Sequence, residues 1–125
     1  MDLYKEELLD HYRFPRHKGR LINPDFVSGH YNPSCGDQVS FEVKIENNYI
    51  SEIAFDGTGC VISMATASML AQLVKNKPTV YAAQLSSQDI LDLIGMELGP
   101  TRLKCALLPL EALQQGLQDF LNKKS

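Results

Sequence analysis

The chain has no uninterrupted apolar stretch of the length a membrane helix requires, about 20 residues. Its 44% hydrophobic and 22% charged content is ordinary for a globular protein. No basic segment leads into an apolar one in "MDLYKEELLDHY", so neither a secretory signal nor a transit peptide is expected. The chain therefore reads as cytoplasmic, without a membrane partner. Surplus positive charge is also missing: 12 Lys and Arg against 15 Asp and Glu give a net charge of -3. Nucleic acid is not an expected partner, because phosphate binding needs a basic surface. The one basic cluster, "RFPRHKGR", reads either as a solvated loop or as a patch that docks an acidic protein. Cysteine is scarce. Three residues cannot all pair internally, and without an export signal they are expected to be reduced, so a disulfide framework explains nothing here. At 125 residues the chain is long enough to bury a core as one domain, 1–125.

What is present reads as a small sheet with helices. "DLYKEELLDHYRF" carries Leu3, Tyr4, Leu8, Leu9 and Tyr12 near helical spacing, with Asp2 as N-cap and Pro15 as stop. Phe26 and Val27 suggest a short edge strand that runs into a turn, with Cys35 at a loop tip. Val39, Phe41, Val43 and Ile45 alternate with polar residues, Asn47 and Asn48 offer a hairpin turn, and Ile53 and Phe55 return. "VISMATASMLAQLVKNKP" reads as a helix that Pro78 ends, and "TVYAAQL" and "SSQDILDLIG" as two shorter ones. The second of these has Ser86 and Asp89 at capping-box spacing and Gly95 at its end. Pro100 opens a helix that Pro109 is expected to interrupt, before Leu110, Leu113, Leu117, Phe120 and Leu121 resume on one face.

Cys35, Cys60 and Cys105 each fall at an expected element boundary, where solvent can reach a thiol. Cys60 follows "GTG" at a helix start, whose first amides favour a thiolate, and Cys105 has Lys104 and Arg102 as cationic neighbours. In "NPSCGDQ", Gly36 lets Cys35 and Asp37 fold onto one ion. Three thiolates and Asp37 would complete a tetrahedral zinc shell of net charge -2, which Arg102 and Lys104 offset. A closed shell leaves no position for an activated water, so hydrolase chemistry is not expected. The intervals of 25 and 45 residues between the cysteines match no zinc finger. Free cysteine is also among the commonest buried residues. Taken alone, the residues leave open a shared site or three separately packed thiols. His11, His17 and His30 are weaker ligand candidates, with surface or partner roles the commoner use.

"NPSCGD" near a strand, "FDGTGCVISMATASML" leading a helix and "RLKCALLPLEAL" before the last helix together resemble the U-type iron-sulfur cluster assembly proteins, the family of IscU, SufU and the N-terminal domain of NifU. "LYKEELLDHYRFPRHKGRL" is similar too, so the resemblance covers nearly the whole chain in order. It implies an α+β fold, a three-stranded antiparallel sheet packed by helices with the three cysteines converging at one end. It also implies a scaffold that accepts sulfur from a cysteine desulfurase of SufS or IscS type and passes cluster or sulfur to apo iron-sulfur proteins or carriers. By matching position, Cys35, Cys60 and Cys105 look like the cofactor-binding cysteines, and Cys35, Asp37, Cys60 and Cys105 like the metal set for zinc, iron or a transient [2Fe-2S] cluster. Cys105 looks like the sulfur acceptor. The alternative within the family is a zinc-dependent sulfurtransferase that activates the desulfurase without building a cluster. Neither is a stand-alone enzyme. The motifs lie closer to SufU and the spacing closer to IscU. Lys104 stands where IscU proteins carry histidine, which leaves the fourth ligand to Asp37 or an exogenous group, and "LGPTRLKC" replaces the Leu-Pro-Pro-Val-Lys segment read by an Hsp70 chaperone.

Overall fold

The computed structural model describes residues 3–33 and 36–124. The N-cap role expected of Asp2 and the loop-tip position expected of Cys35 lie outside the described residues. The sheet grows from the clearest sequence signal. β2 (Asp37–Glu46) and β3 (Tyr49–Thr58) pair antiparallel about Asn47 and Asn48. These have φ of 53° and 65°, the left-handed pair a two-residue hairpin needs. Period-two alternation sends Val39, Phe41 and Val43 to one face, where they are fully buried with Ile53 and Phe55. The register changes once. Lys44 pairs with Glu52 but Ile45 pairs with Ile50, so Ser51 is the extra residue of a β-bulge, and its hydroxyl donates to the Lys44 carbonyl at 3.1 Å.

β1 (Phe26–Asn32) pairs with the other side of β2, giving the order β1-β2-β3. It is longer than the strand expected at Phe26 and Val27, continuing through Gly29 and His30 to Asn32, opposite Asp37. Tertiary contacts outweigh the weak local propensity: Ser28 Oγ donates to the Ala112 carbonyl at 2.7 Å, and the Phe26 and Phe120 rings lie 5.8 Å apart. The segment before β1 crosses the outer face of the sheet. It bonds the edge of β3 through His17, Gly19 and Phe55, meets Glu42 of β2 through the Leu21 N–H, and joins β1 where the Asp25 N–H donates to the Val43 carbonyl.

Helices cover the inner face. α2 (Val61–Val74) is buried on almost every side, and its Ala65, Ala67, Ser68 and Ala71 let its neighbours approach closely. It packs against β2, β3 and the long α5 (Pro100–Lys124), while α1 (Leu3–Arg13) lies on it through Leu8 and His11. α2 stops at Val74, ahead of the expected Pro78. Asn76 turns left-handed at φ 66° and gives its N–H to Ile50, so pairing with the sheet takes the chain out of the helix first. α3 (Thr79–Ala83) and α4 (Ser87–Ile94) follow, the latter with the expected Ser86–Asp89 capping box and Gly95 in the left-handed C-cap conformation. Pro109 does not interrupt α5, which runs unbroken over 25 residues. A proline inside a helix costs about 3 kcal/mol. Burial of Ala106, Leu108, Leu110, Ala112 and Leu113 on both sides of it offsets that cost.

The α1–α2 contact contains a titratable group. His11 is 3% exposed, with Nδ1 2.8 Å from Ser68 Oγ, which also accepts the Arg16 N–H at 2.8 Å. Burial and then the Arg16 charge lower the His11 pKa from its ordinary 6.5, against weaker opposition from Glu7 and Asp10. His17 is lowered by burial and then by Lys75. Both groups take up protons more readily unfolded than folded. Their neutral forms therefore support the fold above pH 6.5, and that support is lost as the pH falls below it. Denaturant titrations from about pH 8 to about pH 5 are expected to show unfolding free energy declining below that point, with a shallower decline in His11→Gln. Identical slopes in the two proteins would show that His11 does not contribute.

Candidate metal centre

Three chain segments meet at one end of the sheet: the start of β2, the junction of β3 with α2, and the first turns of α5. The loop leading to β2 closes through the Gly36 N–H, which donates to the Asn32 carbonyl at 2.8 Å. Gly36 has φ of 75°, a conformation glycine adopts without strain. Asp37 then begins β2 with its side chain buried at 3% exposure. Because Gln38 pairs with Thr58, the chain leaving β3 passes beside Asp37, and the Cys60 N–H donates to Asp37 Oδ1 at 3.2 Å.

Cys60 is the N-cap of α2, exposed as its boundary position suggested. Its Sγ accepts the Ser63 N–H at 3.4 Å and lies 3.7 Å from the Ser63 hydroxyl, which donates to the Cys60 carbonyl at 3.2 Å. Amide donation at the helix N-terminus fixes the position of the Cys60 sulfur. Gly59 makes the approach feasible: a Cβ on it would lie 2.5 Å from Ser63 Oγ and 2.8 Å from Asp37 Cγ. Cys105 comes from the second turn of α5 and is only 4% exposed. Its expected place at a solvent-accessible helix junction is corrected here, because α5 continues past Pro109 and packs that turn into the core.

One carboxylate oxygen of Asp37 and the sulfurs of Cys60 and Cys105 all lie within 4.8 Å of one another. Ligands arranged tetrahedrally around zinc, at bonds of about 2.0 to 2.3 Å, are themselves about 3.5 Å apart. Two thiols and a carboxylate at this spacing fit a zinc or iron ion after a small contraction, and the thiols suit a sulfide-bridged cluster equally. Cys35 lies outside the described residues. Among those described, no histidine joins the group: His11 is engaged with Ser68 and His30 Nδ1 with the Gly29 carbonyl. Arg102 and Lys104 are exposed on α5. Ser63 and Gly59 were not anticipated as parts of the site. The three-residue step from Cys60 to Ser63, a capping interval, was the available signal for the first of them.

A pair of thiols and a buried carboxylate converging at the end of a three-stranded antiparallel sheet backed by helices defines a class, and the comparisons with known proteins agree. Residues 3–125 match the NifU-like N-terminal domain, and the chain belongs to this family of U-type iron-sulfur cluster assembly scaffolds. It is 38% identical over 123 residues to the iron-sulfur cluster assembly scaffold protein IscU of Aquifex aeolicus, covering 97% of this chain and 78% of that one. It is 35% identical over 132 residues to the zinc-dependent sulfurtransferase SufU of Bacillus subtilis, covering 92% and 89%. The same fold recurs in a scaffold protein for the SUF system from Fervidobacterium islandicum AW-1, with a TM-score of 0.80 at 23% identity over 90% of this chain and 94% of that one.

The tight contact at Gly59 gives a direct test of this geometry. Gly59→Ala forces Ser63 or the Asp37 carboxylate to move and is expected to cost about 1 to 3 kcal/mol of stability. It should also weaken cobalt binding, read from the thiolate-to-cobalt absorption. An alanine variant with parental stability and cobalt affinity would show that the packing is dispensable.

Proposed function

We propose that the chain, 1–125, works as one scaffold domain that accepts sulfur from a cysteine desulfurase and holds iron and sulfide for delivery to apo iron-sulfur proteins or carriers. The observation that carries this reading is the grouping of Asp37, Cys60 and Cys105 at one end of a fold that belongs to the U-type family. Cys35, two positions before Asp37, supplies the third thiol and completes a Cys3Asp set. Iron and sulfur are cargo here.

Cys105 accepts the sulfur. Its thiolate attacks the outer sulfur of the donor's persulfide, the sulfur–sulfur bond of the donor breaks, and the donor cysteine leaves as a thiolate. The sulfane sulfur moves with no net electron transfer, and its later conversion to sulfide draws on a separate reductant. Because Cys105 is buried, it has to be uncovered first, and the missing N–H of Pro109 removes the helical hydrogen bond that would otherwise restrain the Cys105 carbonyl. Asp37 orients the Cys60 backbone and adds a hard oxygen ligand among soft thiols.

A second reading, a zinc-dependent sulfurtransferase that does not build a cluster, is favoured by Lys104. A protonated lysine in place of histidine cannot ligate, so the fourth position falls to Asp37, an arrangement suited to zinc. A zinc ion bound there would keep the cysteines deprotonated. In that case Cys60, already exposed and held by Ser63, makes first contact with the donor.

Anaerobic incubation with ferrous iron, cysteine and a desulfurase distinguishes the two. The scaffold reading expects a visible chromophore with bound iron and acid-labile sulfide; retained zinc with faster desulfurase turnover supports the alternative. Asp37→Ala is expected to lower zinc affinity by more than about tenfold. Cys105→Ser is expected to abolish persulfide uptake, and uptake at the parental rate would assign the acceptor role elsewhere.

A further inference from the structure

Beside the metal centre lies a second feature that none of its ligands requires. A cleft of about 490 Å³ opens between the end of α1, the loop after it, the end of β3 and the start of α2. Tyr12, Arg13 and Lys18 line one side, and Thr58, Gly59 and Met64 the other. Gly59 is also the residue packed against Asp37 and bonded to Cys60, so the cleft ends where the site begins.

The charges in this cleft are unbalanced. Arg13 and Lys18 are exposed, and among the described residues neither side chain pairs with a carboxylate. Arg16, from the same basic run, is already committed: its guanidinium bonds Asp10 at 2.5 Å. Of the four Lys and Arg in "RFPRHKGR", Arg16 is spent on the fold, Arg13 and Lys18 line the cleft, and Arg20 lies outside its lining. The chain as a whole carries -3, so attraction of an acidic surface depends on local groups of cations such as this one. Apolar surface adjoins the cations, with Tyr12, Pro15 and Met64 in the lining.

We infer that this cleft docks an acidic segment of the sulfur-donor protein, one bearing carboxylates next to an apolar side chain, so that the donor's persulfide is brought to the thiol site beside Cys60, within which Cys105 accepts the sulfur. The inference rests on the sulfur-accepting reading above. A protein segment suits the cleft because the sulfur arrives attached to a protein cysteine. Two cations beside an apolar strip fix the orientation of a segment as well as attracting it. Charge pairs of this kind at an interface act mainly on the rate and direction of encounter.

The test uses the metal-loaded full chain and a short acidic peptide carrying a central cysteine and one phenylalanine, with a lysine-substituted peptide as control. The acidic peptide is expected to shift the amide resonances of Arg13, Gly57, Thr58 and Gly59, and to bind more weakly as salt is raised. Arg13→Glu/Lys18→Glu is expected to reduce its affinity about tenfold or more, with zinc content and circular dichroism unchanged, and Arg13→Lys/Lys18→Arg to restore it. Should the reversed pair misfold, Arg13→Gln/Lys18→Gln serves, with a smaller loss in the same direction. Equal binding of the two peptides, parental affinity in the charge variants, or shifts confined to residues outside the cleft, such as Leu91, Met96 and Leu98, would overturn the inference. A persulfide form of the peptide separates this inference from the reading on which it rests. Docking in the cleft without sulfur transfer removes the sulfur-accepting reading and leaves the docking site. Transfer at the parental rate in the charge-reversed variant removes the docking site and leaves the reading.

Discussion

The carboxylate of Asp37 holds the sheet and the helical layer in one alignment at the end where the thiols gather. It begins β2, is almost wholly buried, and accepts the backbone N–H of Cys60 across the junction of β3 and α2. Burying a carboxylate is costly unless donors or cations surround it. Here one donor comes from the backbone, and the sulfurs of Cys60 and Cys105 stand close enough for a shared cation to bind all three groups. The bare backbone of Gly59 and the cap given by Ser63 serve the same contact, one by leaving room and the other by fixing the sulfur. The site is thus assembled from small residues and backbone amides, with little bulk to rearrange when its contents change.

Much of this was legible in the sequence where a short-range rule decided the outcome. The β2–β3 hairpin follows from strict alternation and an Asn-Asn turn, and α4 from a capping box and a terminal glycine. Cys60 at a helix start follows from "GTGC". Long-range packing governed what was missed. β1 extends past Phe26 and Val27 because Ala112 and Phe120 of α5 lie over it, contacts no local pattern encodes. Pro109 reads as a break yet lies inside α5, since buried leucines and alanines on either side keep the helix in place. The burial of Cys105 follows from that error: a thiol assigned to a mobile junction is in fact part of a packed turn. Nothing in their spacing brings Asp37, Cys60 and Cys105 together; the fold does.

The two thiols are therefore inequivalent. Cys60 faces solvent with its sulfur already receiving an amide, while Cys105 is enclosed on the helix that closes the site from the opposite side. The family to which the chain belongs includes both a scaffold named IscU and a zinc-dependent sulfurtransferase named SufU, at similar identities to this chain. Histidine is missing from the described cluster, and an exposed lysine precedes Cys105. In the metal-bound form proposed above, Asp37 supplies the oxygen donor where no imidazole stands among the described residues.

Ser51 lies at the other end of the hairpin from the thiols, yet it sets where they fall. As the unpaired residue of the bulge, it sets every later residue of β3 back by one position against β2. Were Ser51 drawn into the ladder opposite Lys44, Thr58 would stand opposite Asp37, and Cys60 would lie one position, about 3.3 Å, farther along the strand with its alternation inverted. Phe55 would leave the side it shares with Phe41, so the core and the site would lose their phase together. A single extra residue, secured by one hydroxyl bond to Lys44, acts as the timing mark of the hairpin. Closing the bulge while keeping the residue would displace the cysteines without touching them.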